Sequence, residues 1–169
     1  MPSQARPVPE GYHTVTPYIV VNDAARAIDF YKKAFDATEL NRMQGPQGKI
    51  GHAELRIGDS VIMLSDELPG SDCRAPQSLG GTTANIFLYV KDVDHSYQKA
   101  VSAGAKSTTP VADMFWGDRY GRLTDPFGHS WSLATHKEDV APDEMKRRMD
   151  AQMAKMAAGQ QPKVKTGTV

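Results

Sequence analysis

Cysteine, long apolar runs and an excess of charge of either sign are scarce or missing in this sequence. Cys73 is the single cysteine among 169 residues, so no disulfide can form within the chain. No apolar run approaches the roughly 20 residues that a membrane-spanning helix needs, and the first ten residues lack the apolar centre of a signal peptide. The 20 basic residues balance the 20 acidic residues, so no overall field favours nucleic acid or an anionic membrane as a partner. We therefore expect a cytoplasmic protein.

The remaining composition is that of a globular protein built around one good core or two small cores that share an interface. Hydrophobic residues make up 40% of the chain and charged residues 24%. A loose N-terminal arm, residues 1–12, precedes a β-branched strand at 15–21. Apolar residues then recur at helical spacing from Ala24 to Phe35, after the N-cap candidate Asp23. Further strands are predicted at 36–43, 49–57 and 60–65, which completes a first unit at 13–67.

The same order of elements returns after a linker at 68–83. A second unit, 84–140, contains a predicted strand at 84–90, a helix from Val93 to Gly104, and further strands at 106–111, 122–124 and 130–134. The last two strands flank Asp125-Pro126-Phe127-Gly128, which has the composition of a tight turn. Val21 and Leu64 match Val90 and Leu133 at one constant offset of 69 positions (90 − 21 and 133 − 64). A constant offset with the same element order indicates an internal duplication.

The C-terminal part predicts an amphipathic helix at 141–158, with Pro142 in its first turn. Its methionines form one stripe: Met145, Met149, Met153 and Met156. We expect this stripe to pack on its own domain or on a partner subunit. A calmodulin-like or membrane-surface role is less favoured, because acidic residues interrupt the basic face. Residues 159–169 are polar and are predicted to be disordered.

Several short motifs, in this order and spacing, resemble one known family. Val21-Asn22-Asp23, Ala27-Ile28-Asp29-Phe30-Tyr31 and the Asp125-Pro126-Phe127-Gly128 turn are similar to the vicinal oxygen chelate superfamily of glyoxalases, bleomycin-resistance proteins and extradiol dioxygenases. Trp116-Gly117-Asp118-Arg119-Tyr120-Gly121 and Ser132-Leu133-Ala134-Thr135-His136 resemble its PhnB-like branch. The resemblance covers residues 13–140. It implies an α+β fold in which two βαβββ modules form an open, incomplete barrel with a cavity between them, and it implies a homodimer.

The resemblance also implies four positions for a divalent metal, which the family usually fills with His or Glu. In this sequence these positions are Thr16, Met63, Asn85 and Ser132. Two hydroxyls, an amide and a thioether offer no formal charge to a divalent cation, and a thioether suits soft metals only. We therefore favour no metal cofactor. Without a metal, glyoxalase and dioxygenase chemistry would lack their Lewis acid.

An unusual metal site remains as an alternative. His52 and Glu54 are two positions apart on one strand and so share a face, and His129 from the other half could join them. The plainer interpretation is a solvated polar pair. The alternative function is thus a metal-dependent lyase, isomerase or dioxygenase with a non-standard site, or metal-free acid–base chemistry around Asp118, Tyr120 and His129. No catalytic residue is assigned.

The preferred function is the binding of a small, partly aromatic or hydrophobic molecule between the modules. Phe87 and Trp131 are expected in the core, whereas Phe115 and Trp116 belong to a loop that is either a pocket lid or a dimer contact. Asp118 and Arg119 beside that loop form either a salt bridge or a ligand clamp. The predicted ligand contacts are Tyr18, Met63, Asn85, Tyr89, Phe115, Trp116, Asp118, Tyr120 and Ser132.

Overall fold

The computed structural model describes residues 5–159, so the predicted tail from residue 160 onward and the first four residues of the N-terminal arm lie outside the described residues. The first module consists of β1 (Tyr18–Val21), α1 (Ala24–Phe35), β2 (Thr38–Gln44), β3 (Ile50–Ile57) and β4 (Ser60–Asp66). A short linker helix, α2 (Pro76–Leu79), follows. The second module consists of β5 (Asn85–Tyr89), α3 (Val93–Ala103), β6 (Lys106–Asp113), β7 (Asp118–Thr124) and β8 (Ser130–His136). The chain continues into α4 (Pro142–Gly159).

Each module forms its own four-stranded sheet, and the two sheets have the same topology. Their strand orders are β1-β4-β3-β2 and β5-β8-β7-β6, so neither sheet closes into a barrel. In the first sheet Tyr18 lies opposite Met63 on parallel strands, and in the second Phe87 lies opposite Ser132. Both pairs are related by the offset of 69 positions (87 − 18 and 132 − 63). The predicted α+β fold of two open βαβββ modules is confirmed.

Helix α1 has the bounds that the apolar spacing predicted. The carboxylate of Asp23 accepts a hydrogen bond from the backbone N–H of Arg26 at 3.1 Å, which caps the N-terminus. Asp36 ends the helix in a left-handed conformation. Strand β1 is shorter than predicted and begins at Tyr18. Pro17 immediately before it has no N–H to donate to a strand ladder.

Both modules share one hydrophobic core, which buried residues of α1, α3 and the two sheets form together. Trp131 on β8 is fully buried, and its ring centroid lies 4.6 Å from that of Phe35 and 5.3 Å from that of Tyr31, both on α1. Its expected core position is therefore confirmed. Because neighbouring residues of a strand point to opposite faces, Ser132 and its strand partner Phe87 belong to the other face of the sheet. Phe87 is 43% exposed, so its assignment to the core was wrong.

The sequence pattern did not predict helix α2 within the linker, because a helix of four residues is too short to show a periodic pattern. Pro76 occupies the start of the helix and Gly80 ends it with φ +76°. The side chain of Gln77 accepts a hydrogen bond from Asn22 at 2.8 Å and donates one to the carbonyl of Pro126 at 2.9 Å. The helix thus ties the end of β1 to the turn between β7 and β8.

No helix in residues 5–159 combines the length and the apolar character needed to cross a bilayer. Helix α4 is 18 residues long, and every residue from Met149 to Ala157 is exposed.

Candidate ligand-binding face

Four aromatic side chains form a continuous surface on the face of the second sheet that points away from the helices. Phe87 and Tyr89 lie on β5 with ring centroids 5.0 Å apart. The ring of Tyr120 on β7 lies 5.9 Å from Phe87 and 5.8 Å from Trp116. We call these four residues the aromatic wall. Phe87 and Tyr89 are 43% and 66% exposed, so the aromatic wall is an apolar patch open to solvent.

The loop that carries Phe115 and Trp116 is fastened at both ends. The backbone N–H of Met114 donates to the carbonyl of Asp118 at 2.8 Å. The carbonyl of Gly117 accepts from the N–H groups of Lys137 and Glu138 at 2.9 and 3.0 Å. Such a loop presents Trp116 in a fixed position, with Phe115 edge-on beside it at 5.1 Å. These bonds close the loop and join it to the segment that follows β8.

Asp118 fixes two members of the aromatic wall, Trp116 and Tyr89. Its side chain is 5% exposed and accepts hydrogen bonds from Trp116 Nε1 at 3.1 Å and from the Tyr89 hydroxyl at 3.3 Å. His136 Nδ1 contacts the other carboxylate oxygen at 2.8 Å. Hydrogen bonds to Asp118 and then to Asp139 raise the pKa of His136, because they favour the imidazolium. Partial burial and the Asp118 carboxylate raise the pKa of Tyr89, so its hydroxyl stays a donor.

Arg119 belongs to a salt bridge and not to a ligand clamp. Its guanidinium donates to Asp94 at 2.6 and 2.7 Å and to Asp113 at 3.1 Å. These two carboxylates raise the pKa of Arg119 above its already high value. These three residues link α3, β6 and β7 on the side of the sheet away from the aromatic wall, since Arg119 and Tyr120 point to opposite faces.

A hydrogen-bond network of neutral side chains, joined at its edge by the charged Arg122, borders the aromatic wall at the positions where the family resemblance implies metal ligands. Asn85 Nδ2 donates to Ser132 Oγ at 2.9 Å, and Ser130 Oγ donates to Asn85 Oδ1 at 2.9 Å. The Tyr120 hydroxyl shares a hydrogen bond with Ser132 Oγ at 2.8 Å. Arg122 Nε donates to Ser130 Oγ at 2.9 Å. Asn85 and Ser132 are thus brought together, but as partners of each other.

The corresponding face of the first module carries a polar cluster. The Tyr12 hydroxyl donates to Glu54 Oε2 at 2.6 Å, and His52 Nε2 lies 3.1 Å from Glu54 Oε1. The ring of Tyr18 is 5.7 Å from that of His52. The hydrogen bond from Tyr12, and then that from His52, lower the pKa of Glu54, so the carboxylate is ionised. The plainer interpretation of His52 and Glu54 as a polar pair describes this geometry.

His129 does not join that pair. It is 8% exposed, and its Nε2 contacts the carbonyl of Val20 at 2.9 Å while its backbone N–H donates to Asp125. Residues 5–159 contain no group of three or more His, Cys, Asp or Glu side chains that could hold a metal. His129 and Asp118 also lie at opposite ends of the β7–β8 hairpin, since Asp118 pairs with His136. The structure therefore does not bring His129 together with His52 and Glu54, nor with Asp118 and Tyr120.

The four positions implied for a metal do not fit a divalent cation. Thr16 Oγ1 donates to the carbonyl of His13 at 3.0 Å, and Met63 lies beside Tyr18. Together with the Asn85–Ser132 pair, these donors carry no charge that would offset the dehydration of a hard metal ion. No reaction step through a metal is therefore derived from them.

A cavity of about 810 Å³ lies between the modules, but few predicted contacts line it. We call it the intermodule groove. Its lining includes Pro17, Phe35, Ile62, Ile86, Leu88 and Lys91, together with Phe87 and Tyr89. Among the described residues that line it, Tyr89 is the one member of the nine predicted contacts. The aromatic wall therefore reaches the groove at one edge, while Tyr18, Met63, Asn85 and Ser132 lie elsewhere.

Sequence reasoning missed Phe87 as a surface residue and His136 as a partner of Asp118. The offset of 69 positions could have identified Phe87, because it equates Phe87 with Tyr18, a predicted contact (87 − 18). No comparable sequence signal identifies His136 as a partner of Asp118. Its contact depends on the antiparallel register between Asp118 and His136, which a sequence pattern does not fix.

Comparison with known proteins agrees with this fold. Residues 12–133 match the family model of the Glyoxalase/Bleomycin resistance protein/Dioxygenase superfamily. An uncharacterised protein from Mycobacterium bovis is 50% identical over 141 residues, which cover 82% of this chain and 93% of the relative. An uncharacterised Arabidopsis thaliana protein is 34% identical over 130 residues, covering 71% of this chain and 75% of that protein.

Solved structures show the same likeness. TioX from Micromonospora sp. ML1 is 28% identical with a TM-score of 0.59, over 73% of this chain and 98% of TioX. A PhnB protein from Bacillus cereus has a TM-score of 0.57 over 73% of this chain and 99% of its own, and at 16% identity it shows the shared fold alone. The family match spans both modules, and this chain therefore belongs to the Glyoxalase/Bleomycin resistance protein/Dioxygenase superfamily.

Proposed function

We propose that this protein binds a small, flat, partly aromatic organic molecule by stacking on the aromatic wall, without the divalent metal of its family. The observation that carries this proposal is the exposure of Phe87 and Tyr89, 43% and 66%, in a cluster whose members Tyr89 and Trp116 are both hydrogen-bonded to Asp118. Exposed rings in contact with one another offer a planar ligand a large apolar area and favourable quadrupole interactions. Their fixed positions limit the loss of side-chain entropy on binding.

Polar groups beside the aromatic wall would orient the ligand. Arg122 lies on the same face, and its Nε is fixed by Ser130. Within residues 5–159, no carboxylate lies within 4.0 Å of the Arg122 guanidinium in a salt bridge. Its remaining N–H groups are therefore free to bind a carbonyl or an acidic group of the ligand. Ser132 and Asn85 add neutral hydrogen-bond partners.

A second copy of the chain would complete the site. The ligand faces of both modules point away from the helices, and Tyr18 on the first of them is 50% exposed. Strands β1 and β5 are edge strands, each with one unpaired side. In a homodimer the first module of one copy can face the second module of the other. The role that fits such a site is sequestration or sensing of the bound molecule.

Fluorescence titration with two flat aromatic probes, 1-anilinonaphthalene-8-sulfonate and acridine orange, tests the proposal. We expect Phe87→Ala and Trp116→Ala to weaken probe binding by about three- to tenfold each, as the loss of one aromatic contact predicts. Leu79→Ala is the matched control, because Leu79 is 67% exposed on α2, outside the aromatic wall. Binding that is equal in all three variants, or that disappears after treatment with a chelator, would contradict the proposal.

A further inference from the structure

The duplication creates two equivalent grooves, of which one is filled. The filled groove lies between the end of β1 and the turn that joins β7 to β8. Helix α2 occupies it: Gln77 bonds to Asn22 and to Pro126, and Pro76 is so close that a Cβ on Gly128 would lie 2.9 Å from it.

In the repeat, the intermodule groove corresponds to the groove that α2 fills. Lys91 follows Asn22 by the repeat offset of 69 positions (91 − 22), and it lines the groove. The turn that joins β3 to β4, with Gly58 and Asp59, takes the place of the turn that joins β7 to β8. The end of β5 takes the place of the end of β1. The repeat therefore predicts that this apolar groove receives a helical segment as well.

The sequence contains a second segment of the same kind. Helix α2 begins with Ala75-Pro76 soon after β4, and α4 begins with Ala141-Pro142 soon after β8. The two segments leave their sheets in different directions, however. The N–H of Glu67 donates to Val21 and keeps the first segment beside β1. The N–H groups of Lys137 and Glu138 donate to Gly117, so the second segment turns to the β7 side, away from its own groove.

Helix α4 is then held in that direction. The guanidinium of Arg148 donates to both oxygens of Glu138 at 2.8 Å, and its Nε donates to Glu144 at 2.6 Å. Beyond this anchor, Met149, Met153 and Met156 are 36%, 60% and 60% exposed and form one stripe. Within residues 5–159, α4 makes no extensive packing contact with another strand or helix. The stripe and the groove are thus two unpartnered apolar surfaces of one chain.

We propose that α4 of a second copy lies in the intermodule groove with its methionine stripe facing inward. Its own chain cannot supply the helix without breaking the contacts of Glu138 with Arg148 and Gly117. Methionine suits this groove, because its flexible thioether fills irregular spaces and contacts aromatic rings, and Phe87 and Tyr89 line the groove. Exchange of an identical element between copies also gives closed two-fold symmetry.

Charged residues on the rim of the intermodule groove agree with the docking of α4. Lys91 and Asp59 on the rim of the groove form no salt bridge within the described part of the chain. On α4, Lys155 offers a partner for Asp59, whereas Asp150 already forms a salt bridge with Lys146 at 2.8 Å. Through this contact each copy would add methionines to the edge of the other copy's aromatic wall. The contact goes beyond the proposed binding function and does not require a ligand.

Directed disulfide formation tests which chain supplies the helix. In a Cys73→Ser background, a chain carrying Met153→Cys and a chain carrying Leu88→Cys are co-expressed with different affinity tags and then oxidised. We expect a disulfide-linked pair that contains both tags. Ala151→Cys, on the opposite side of α4, is the matched control and should link far more slowly. No link between the differently tagged chains would overturn the proposal. So would a single chain carrying both Leu88→Cys and Met153→Cys that forms the link only within itself and never between two copies.

A second measurement is independent of cysteine geometry. The triple variant Met149→Ser/Met153→Ser/Met156→Ser should weaken the dimer at least tenfold in sedimentation equilibrium, whereas Ala151→Ser/Ala154→Ser on the opposite side of α4 should not. Circular dichroism would show that both variants keep the folded modules. An unchanged dimer in the triple variant would overturn the proposal. Binding of the flat probes is measured separately, so its failure or success is distinguishable from the failure of the α4 contact.

Discussion

The hydroxyl of Tyr31 donates a hydrogen bond to Oδ2 of Asp125 at 2.7 Å, and it thereby joins the helix of the first module to the turn of the second. The same carboxylate accepts Trp131 Nε1 at 2.9 Å through Oδ2 and the backbone N–H groups of Phe127 and His129, both at 2.9 Å, through Oδ1. Burial, and then the neighbouring carboxylate, raise the pKa of Tyr31 well above its ordinary value, so it remains a donor. Asp125 is therefore a structural link between the modules.

Replacement of Asp125 should destabilise the protein severely. Asp125→Ala leaves four buried donors without their acceptor, and we expect a loss of about 3–5 kcal/mol in the free energy of unfolding. Tyr31→Phe removes one hydrogen bond and should cost about 1–2 kcal/mol. Urea denaturation measures both. Asp139→Ala is the control, because Asp139 is fully exposed and its loss should change stability by no more than about 0.5 kcal/mol. A D125A variant as stable as wild type would refute this role.

Gly117 should not tolerate a side chain. Its φ is +99°, and a Cβ there would lie 2.2 Å from the carbonyl oxygen of Glu138. Gly117→Ala must therefore displace the segment that leads into α4, and we expect a loss of about 2–4 kcal/mol together with weaker binding of the flat probes. Gly81→Ala serves for comparison, since nothing lies within 4 Å of its Cβ position. Equal stability of the two variants would show that the loop is not fastened as described.

Local patterns in the sequence were sufficient to predict the elements of the two modules. The apolar spacing from Ala24 to Phe35 and the N-cap Asp23 gave the bounds of α1, because these signals act within one helical turn. The offset of 69 positions equated the strands of one module with those of the other, and the structure shows the same pairing in both sheets, since a duplicated module keeps its register. The turn at Asp125 was recognisable from Pro126 and Gly128 for the same local reason.

The parts of the site that depend on distant contacts were not predictable. Alternation along β5 shows that Phe87 and Leu88 face opposite ways, but it does not show which face the helices cover. The placement of His129 depends on its contact with Val20, 109 positions away. Asp118 was recognised as a candidate, yet its role in holding Trp116 and Tyr89 follows from the folding of the loop over the sheet.

Stability should depend on pH through His136. Its hydrogen bonds to Asp118 and Asp139 raise its pKa in the folded state above the unfolded value of about 6.5. The stabilisation is therefore complete below about pH 6.5 and is lost as the pH rises through the folded-state pKa. We expect the difference in urea midpoint between wild type and His136→Asn to be larger at pH 6 than at pH 9. A difference that is constant over this range would contradict the ion pair with Asp118.

Metal binding should be absent from the wild type and recoverable by substitution. Asn85 and Ser132 are already in contact at 2.9 Å, so their positions are close enough for two ligands of one ion. Asn85→His/Ser132→Glu adds a nitrogen ligand and a carboxylate, which manganese and nickel accept. We expect Mn²⁺ or Ni²⁺ to raise the melting temperature of this variant, because a metal bound only to the folded state stabilises it by mass action. Neither ion should stabilise the wild type or Asn85→Ala/Ser132→Ala. If wild type gains stability with Mn²⁺ and loses that gain in His52→Ala, a metal site has formed on the first module, and a metal-free function must be abandoned.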